Sequence, residues 1–323
     1  ALVTGGAGFI GSHLVDRLMA EDYAVVVLDN LSSGSLENLR AWLSNPRFNF
    51  IKGDLKDKLT VEESLDEVDL VFHFAANPEV RVGETIPSVH FDENLVATFN
   101  LLEALRKSRT AKTIIFASTS TVYGEAAVFP TPENYGPMLP ISTYGASKLG
   151  CEALICSYTH TFGLRGLILR FANIVGSRAN QGVIIDFVRK LRENPRQLEI
   201  LGDGSQKKSY LHIDDCVDAV LYATNTFLKS QKRVDAYNVG SSDQVTVGRI
   251  AEIVAEEMAF PAVKFFFTSG IDGGRGWLGD VKTMLLDIRR LRETGWRPRC
   301  SSAEAVRIAA KKIVAMSNNW VHK

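Results

Sequence analysis

A short apolar strand, Leu2-Val-Thr4, runs straight into Gly5-Gly6-Ala7-Gly8-Phe9-Ile10-Gly11 and then into an apolar-periodic stretch carrying Ile10, Leu14 and Leu18. No other feature of the chain restricts its fold as tightly. Apolar residues four apart mark one face of a helix, so the order is strand, glycine turn, helix. Glycines at this spacing allow a tight turn, a close approach of backbone to a phosphate group, and close packing of helix on strand. The unpaired N–H groups of the helix N-terminus then receive an anion. The spacing alone is weak, because three glycines recur by chance. Support comes from a second apolar strand, Ala24-Val-Val-Val-Leu28, which ends in Asp29, eighteen residues beyond Gly11. A carboxylate there hydrogen-bonds an adenosine ribose and repels a 2′-phosphate, so the arrangement predicts bound NAD rather than NADP. Asn30, Ser32, Ser33 and Gly34 follow with polar or backbone donors, and no arginine comes before Arg40. A simple turn or helix-cap aspartate would not require this order of elements.

The pattern continues through the first half of the chain. Short apolar strands are expected at 2–4, 24–29, 48–52, 69–74, 113–118 and 167–171, separated by amphipathic segments near 9–20, 36–43, 60–66, 89–107 and 143–162. Such alternation implies an α/β fold with a Rossmann-type, doubly wound parallel sheet whose ligands sit at the carboxyl ends of the strands. Polar or small residues fall at those ends: Asp54 and Leu55 after the third strand, Phe74-Ala75-Ala76 after the fourth, Ser118-Thr119-Ser120 after the fifth. Small side chains at 75 and 76 suit a flat ligand, although core packing alone would also use them. Beyond 171 the pattern is less regular, with helices expected near 183–193, 246–258 and 302–316, a strand at 236–239 and a glycine-rich stretch from Gly270 to Gly279. The expected division is an NAD-binding domain over 1–171, rejoined by 207–240, and a smaller α/β substrate-binding lobe over 172–206 and 241–323.

Tyr144-Gly-Ala-Ser-Lys148 places a phenol and an ammonium one helical turn apart, on the same face. An ammonium beside a tyrosine favours phenolate and so predicts a general base. Such pairs also occur on ordinary helix surfaces, and it is the preceding motifs that give this one meaning.

Composition fits an enzyme. The chain has 323 residues, 46% hydrophobic content and no formal net charge, which argues against disorder and against a basic nucleic-acid footprint. No apolar run reaches the length of a membrane span, and the N-terminus reads as a strand rather than a signal peptide. The first strand begins so early that a few residues are expected to precede it in the natural chain. Cys151, Cys156, Cys216 and Cys300 lack metal-ligand spacing and read as small hydrophobes in a reducing cytoplasm, with no metal site expected.

Together these motifs resemble the extended short-chain dehydrogenase/reductase family and, within it, the UDP-galactose (UDP-glucose) 4-epimerases. The residues that carry the likeness are Thr4-Gly-Gly-Ala-Gly-Phe-Ile-Gly11, Asp29-Asn-Leu-Ser-Ser-Gly34, His73-Phe-Ala-Ala76, Ser118-Thr-Ser-Thr-Val-Tyr-Gly124, Tyr144-Gly-Ala-Ser-Lys148 and Arg170-Phe-Ala-Asn173. The resemblance implies a catalytic triad of Thr119, Tyr144 and Lys148, with Ser118 and Ser120 as alternatives for the hydroxyl role. It implies a cofactor site built from Gly5, Gly8, Phe9, Ile10, Gly11, Asp29, Asn30, Ser32, Ser33, Gly34, Asp54, Leu55, Phe74, Ala75, Ala76, Asn94, Ser118, Tyr144, Lys148 and Ala172. For a UDP-sugar substrate it implies Thr119, Asn173, Val183, Leu198, Ile200, Lys208, Tyr210, Arg275 and Asp280, with uracil bracketed by 198–200. Lys208 stands where relatives carry arginine, replacing a bidentate fork by a point charge. Arg275 and Asp280 are spaced more widely than in bacterial relatives, and Met284 occupies a position that discriminates among sugars.

The implied reaction is 4-epimerisation of UDP-glucose/UDP-galactose with tightly held NAD. UDP-N-acetylhexosamine, UDP-glucuronate and a dehydrogenase or reductase reaction are alternatives. A 4,6-dehydratase would need a carboxylate pair where Ser120 and Thr121 stand. The resemblance also implies a homodimer in which the helices near 89–107 and 143–162 form a four-helix bundle, through Leu95, Phe99, Leu102 and Leu105 and through Leu149, Ala153 and Cys156.

Overall fold

The computed structural model describes residues 1–318 and resolves two compact units. The first comprises residues 1–122, 142–170 and 220–237; the second comprises 123–141, 171–219 and 238–323. The segment 123–141 therefore leaves the expected first domain, and 207–219 does not rejoin it.

A seven-stranded sheet forms the first unit, in the order Val234–Val239, Arg165–Phe171, Thr113–Thr119, Leu70–His73, Leu2–Thr4, Val25–Asp29, Phe48–Lys52. Leu2–Thr4 pairs in parallel with Val25–Asp29 on one side and Leu70–His73 on the other, so the winding reverses at this strand. Open α/β sheets bind ligands where the order reverses, at the carboxyl ends of the strands. Buried β-branched residues explain the strands, and the helix Phe9–Ala20 packs through Leu14, Val15 and Leu18. The long helix Thr143–Phe162 starts at Ser142, whose hydroxyl accepts a hydrogen bond from the Gly145 N–H (3.1 Å). It stops at Gly163, in the left-handed conformation that glycine tolerates.

Two expected helices differ. The segment 36–43 forms only a 3₁₀ turn, Leu36–Leu39. The one expected at 89–107 is broken: Ser88–His90 is followed by a π-helical turn, Phe91–Val96, and only then by the α-helix Ala97–Lys107. A π turn shifts the side chains on either side relative to each other, and such turns concentrate at functional sites.

The second unit is built from small pieces. Asn173–Val175 pairs in parallel with Tyr210–His212, and Gln197–Ile200 with Lys264–Phe267. Its core gathers Phe187, Leu191, Leu198, Ile200, Tyr210, Ile250 and Val306. Asn238 organises one edge, accepting from the Tyr123 hydroxyl (2.8 Å) and donating to the carbonyls of Thr131 (2.9 Å) and Asp287 (3.1 Å).

Under the sheet reversal lies His73, fully buried between Thr4 Oγ1 (2.7 Å) and Thr98 Oγ1 (2.9 Å). Thr98 spends its own proton on the Asn94 carbonyl oxygen (2.7 Å), so it must accept from His73 Nε2–H. Nδ1 is then an acceptor for the Thr4 hydroxyl, and the neutral ring is satisfied at both nitrogens. Burial, with the charge of Lys148 adding to it, pushes His73 from 6.5 to about 3. Between those values the unfolded chain binds one more proton than the native one, so stability falls as pH drops through the window. His73→Gln, which cannot be charged, should show a smaller loss of melting temperature between about pH 7 and about pH 4 than the wild type. An equal loss would place acid sensitivity elsewhere.

Candidate active site

The glycine turn forms a cradle that side chains could not share. Gly5 has φ +69°, and a Cβ on it would lie 2.6 Å from the Ala75 nitrogen, while one on Gly11 would overlap the Gly5 carbonyl oxygen. Gly34 is equally confined, its Cβ position 2.8 Å from the Ala7 carbonyl carbon. Gly8 precedes the helix Phe9–Ala20 without a side-chain cap, leaving the N–H groups around Phe9 and Ile10 for an anion. Asp29 is buried at the end of its strand, accepting from Ala7 N–H (2.9 Å) and Leu31 N–H (2.8 Å). Burial raises its pKa, and those two backbone donors oppose the rise. Each carboxylate oxygen keeps a free acceptor position for ribose hydroxyls.

Nothing here would welcome a 2′-phosphate. Asn30 donates to Asp54 (3.1 Å) and accepts from Ser32 N–H (2.9 Å), Lys56 lies 3.6 Å from Asp54, and Arg40 pairs with Glu37 (3.1 Å) on the surface. The N–H groups of Phe74 and Ala75 are held by the Thr4 carbonyl (3.1 Å) and hydroxyl (3.3 Å), so the fourth strand exits flat beside the turn. These residues fit NAD.

Thr119 closes the fifth strand, and Tyr144 and Lys148 share a face of the helix Thr143–Phe162. Thr119 Oγ1 accepts from both the N–H (3.2 Å) and the hydroxyl (3.1 Å) of Thr121. With those acceptor positions used, the Thr119 hydroxyl keeps its own proton to donate. Burial pushes Tyr144 up to about 12, the reverse of the sequence expectation. Lys148 is engaged elsewhere. Its ammonium donates to the Ala117 carbonyl (2.8 Å) and sits 4.7 Å over the Phe116 ring. Burial lowers it to about 8, against the opposing charges of Cys151 and Glu152.

Beneath the triad, Ser118 donates a short hydrogen bond to Glu152, which receives Arg170 through Nε (3.0 Å) and Nη2 (2.7 Å). Ser118 is thereby committed to a structural ion pair and cannot stand in for Thr119. Asn94 lies in the π turn, accepting from Asn77 N–H (2.8 Å) and donating to Ser147 Oγ (2.9 Å). Thus it ties the exit of the fourth strand to the helix of the triad. Sequence reasoning missed Asn77, His90, Thr121 and Glu152. Of these, Glu152 alone had a signal, one turn after Lys148 on the same face.

In the second unit, Asn173 opens its strand, and its Nδ2 is buried without a hydrogen-bond partner among the described residues. Lys208 donates to Asp280 (2.5 Å) and lies 5.7 Å over the Trp277 ring. Arg275 pairs with Glu125 and donates to the carbonyls of Asp272 (3.0 Å) and Asp280 (3.0 Å). Ala172 is held by the Val239 carbonyl (2.8 Å), and Val183 begins a helix against the core. The side chains of Leu198, Ile200 and Tyr210, expected at the substrate, pack in the second unit's core, because Gln197–Ile200 alternates outward and inward and Tyr210 heads a core strand.

Fold and site define an NAD-dependent enzyme of the Rossmann type. The model of the NAD dependent epimerase/dehydratase family matches residues 1–240, and the chain belongs to that family. It is similar to a putative UDP-glucose 4-epimerase of Methanocaldococcus jannaschii, 34% identical over 99% of this chain and 97% of the relative. UDP-glucuronic acid decarboxylase 3 of Arabidopsis thaliana is 31% identical over 94% of the chain and 86% of that protein. A crystal structure of a UDP-galactose 4-epimerase superposes with TM-score 0.86 and 46% identity, covering 98% of both chains. UDP-glucuronic acid 4-epimerase from Bacillus cereus, in complex with UDP-glucuronic acid and NAD, superposes with TM-score 0.85 at 28% identity, covering 98% of this chain and 99% of that one.

Tyr144→Phe should keep the fold and bound NAD and lower turnover by roughly 10²–10⁴-fold, the worth of positioned acid–base catalysis. Thr119→Ala should also lose rate, without rescue by Ser118. Turnover near wild type in the first variant would remove Tyr144 from the chemistry.

Proposed function

We propose that the protein interconverts UDP-glucose and UDP-galactose by transient oxidation at C4 of the sugar. The observation that carries this reading is the set of hydroxyls at the end of the fifth strand. Thr119 accepts from Thr121 and keeps its own proton to donate, and the two residues that follow it are Ser120 and Thr121 rather than carboxylates. Proton transfer at one hydroxyl is thus provided for, whereas elimination of water needs an additional acid and base.

When bound, NAD supplies the reversible hydride acceptor. Tyr144, once ionised, takes the O4 proton, and Thr119 steadies the developing charge on that oxygen. Lys148 keeps its ammonium within the buried site, where a positive charge favours phenolate. Returning the proton from Tyr144 after the 4-keto sugar has presented its other face completes the epimerisation with no net redox change. In the second unit the unpartnered Asn173 Nδ2, Lys208 and Arg275 offer donors for a diphosphate. Met284, buried beside Lys208 in its strand pairing, is mid-sized, which favours a plain hexose.

UDP-galactose, UDP-N-acetylgalactosamine and UDP-galacturonate should be incubated separately with the purified protein, without added NAD. The 4-epimer of UDP-galactose should form with no accumulation of free NADH. Steady NADH release would mark a dehydrogenase, and conversion of only the N-acetyl or uronic substrate would reassign the sugar.

We also propose a homodimer through the helices Ala97–Lys107 and Thr143–Phe162. Leu102 and Leu105 do not serve it, since both are buried in the first unit's own core. Instead Phe99 (40% exposed) and Phe162 (47%) leave an aromatic surface, flanked by Tyr158 and by Arg106, which lies 5.5 Å over the Phe162 ring. The four cysteines are unpaired, and among the described residues no helix is long and apolar enough to cross a membrane, which supports a cytoplasmic setting. Sedimentation at micromolar concentration should give twice the chain mass, and Phe99→Glu should give the monomer. A monomeric wild type would refute the dimer.

A further inference from the structure

His90 is fully buried and both of its ring nitrogens are engaged. Nε2 lies 3.0 Å from the Glu79 carbonyl oxygen, and Nδ1 lies 2.8 Å from Thr143 Oγ1. A carbonyl only accepts, so the ring proton sits on Nε2. Nδ1 of the neutral ring must then accept, and the Thr143 hydroxyl donates to it. The same imidazole meets the ring of Tyr144 edge-on, with centroids 5.6 Å apart and planes at 66°. Gly83 seals the contact, for a Cβ there would overlap the Thr143 hydroxyl and lie 2.9 Å from the imidazole.

These contacts bear on the catalytic tyrosine from both ends. Thr143 is the first residue of the helix and Ser142 its cap, bonded to Gly145 N–H, so the backbone on either side of Tyr144 is pinned. The aromatic ring is then restrained at its edge by His90. A small tilt near the helix would swing the oxygen through a much larger distance. Burial keeps His90 below its ordinary pKa, against the raising effects of the Glu79 carbonyl and of the Glu93 and Glu79 carboxylates, so the accepting form of Nδ1 persists near neutral pH.

We propose that His90 is a positioning residue for Tyr144, holding the Thr143 hydroxyl and the tyrosine ring in the orientation that aims the phenol for proton transfer. The inference rests on the reading of Tyr144 as the catalytic base and deepens it. It gives the turn Val80–Glu84 and the segment after the fourth strand a part in aligning that base.

Three variants and one substrate-free measurement test it. Nitrogen-15 spectra of the imidazoles should show His90 as the neutral Nε2–H tautomer, with its Nδ1 signal displaced in Thr143→Val. With UDP-galactose, His90→Phe and Thr143→Val should each lower kcat on the order of tenfold while KM and bound NAD stay at wild-type levels, as expected when a reacting group is misplaced. The double variant should be no slower than the worse single one, because both remove one contact. His90→Gln, whose amide can donate to Glu79 and accept from Thr143, should recover most of the rate.

A wild-type kcat in His90→Phe, additive losses, or an Nδ1–H tautomer would overturn the proposal. A loss that His90→Gln does not relieve would also overturn it. If His90→Phe does not fold, Thr143→Val decides alone, and a wild-type kcat there is fatal. A wild type inactive on UDP-galactose would sink only the choice of sugar: the tautomer still reports on the contact, and kcat is then taken on whichever UDP-sugar is converted.

Discussion

A buried ammonium ion governs the arrangement of the first unit. Removing a charge from water costs several kcal/mol unless partners replace the lost hydration. Lys148 finds them in the Ala117 carbonyl, the face of Phe116 and the nearby carboxylate of Glu152. Glu152 is buried too, and it requires Arg170 and Ser118 in turn. One catalytic charge therefore dictates the partners supplied by the fifth and sixth strands. Strand geometry does the rest. Successive side chains of Thr113–Thr119 point to opposite faces, so committing Ser118 to the ion pair turns Thr119 the other way.

The same logic explains why the phenol lies above its usual range rather than below it. Lys148 is a hydrogen-bond donor spent on a backbone carbonyl, and Tyr144 feels chiefly the loss of water. Burial alone therefore favours the protonated phenol.

The parts legible in the sequence are those whose constraint is local. Gly5, Gly11 and Asp29 are fixed by contacts among the first two strands and the intervening turn, and Tyr144 and Lys148 by a single helical turn, so spacing reports them. The parts that were not legible depend on distant pairs. His90 meets Thr143 across 53 residues and Ser118 meets Glu152 across 34, distances at which one sequence carries no register. The π turn at Phe91–Val96 was hidden for another reason: its residues keep a helical apolar pattern, and only the hydrogen-bond shift distinguishes it. The core placement of Leu198, Ile200 and Tyr210 was not legible because apolar side chains at a ligand site and in a core have the same composition. Only their strand alternation, seen in three dimensions, assigns them to the core.

Lys208 shows how a point charge can serve where the resemblance implies an arginine. An arginine would offer a planar fork suited to two phosphate oxygens at once. The lysine has three donors on one nitrogen, of which Asp280 takes one, and Asp280 is itself steadied by the Gly276 N–H (3.2 Å). A phosphate oxygen could therefore bind Lys208 without displacing the carboxylate. Arg275 is engaged differently, with Glu125 and the carbonyls of Asp272 and Asp280 spread over its three nitrogens. Its charged partners are Glu125 and the Asp272 carboxylate, 3.4 Å from Nε, and both are open to solvent, so these are the ones an incoming diphosphate would most readily replace. On the nucleotide-sugar reading, the lysine would supply charge without rearrangement, while the arginine would exchange one anion for another. The planar recognition lost at position 208 is then available, five residues before Asp280, at Arg275.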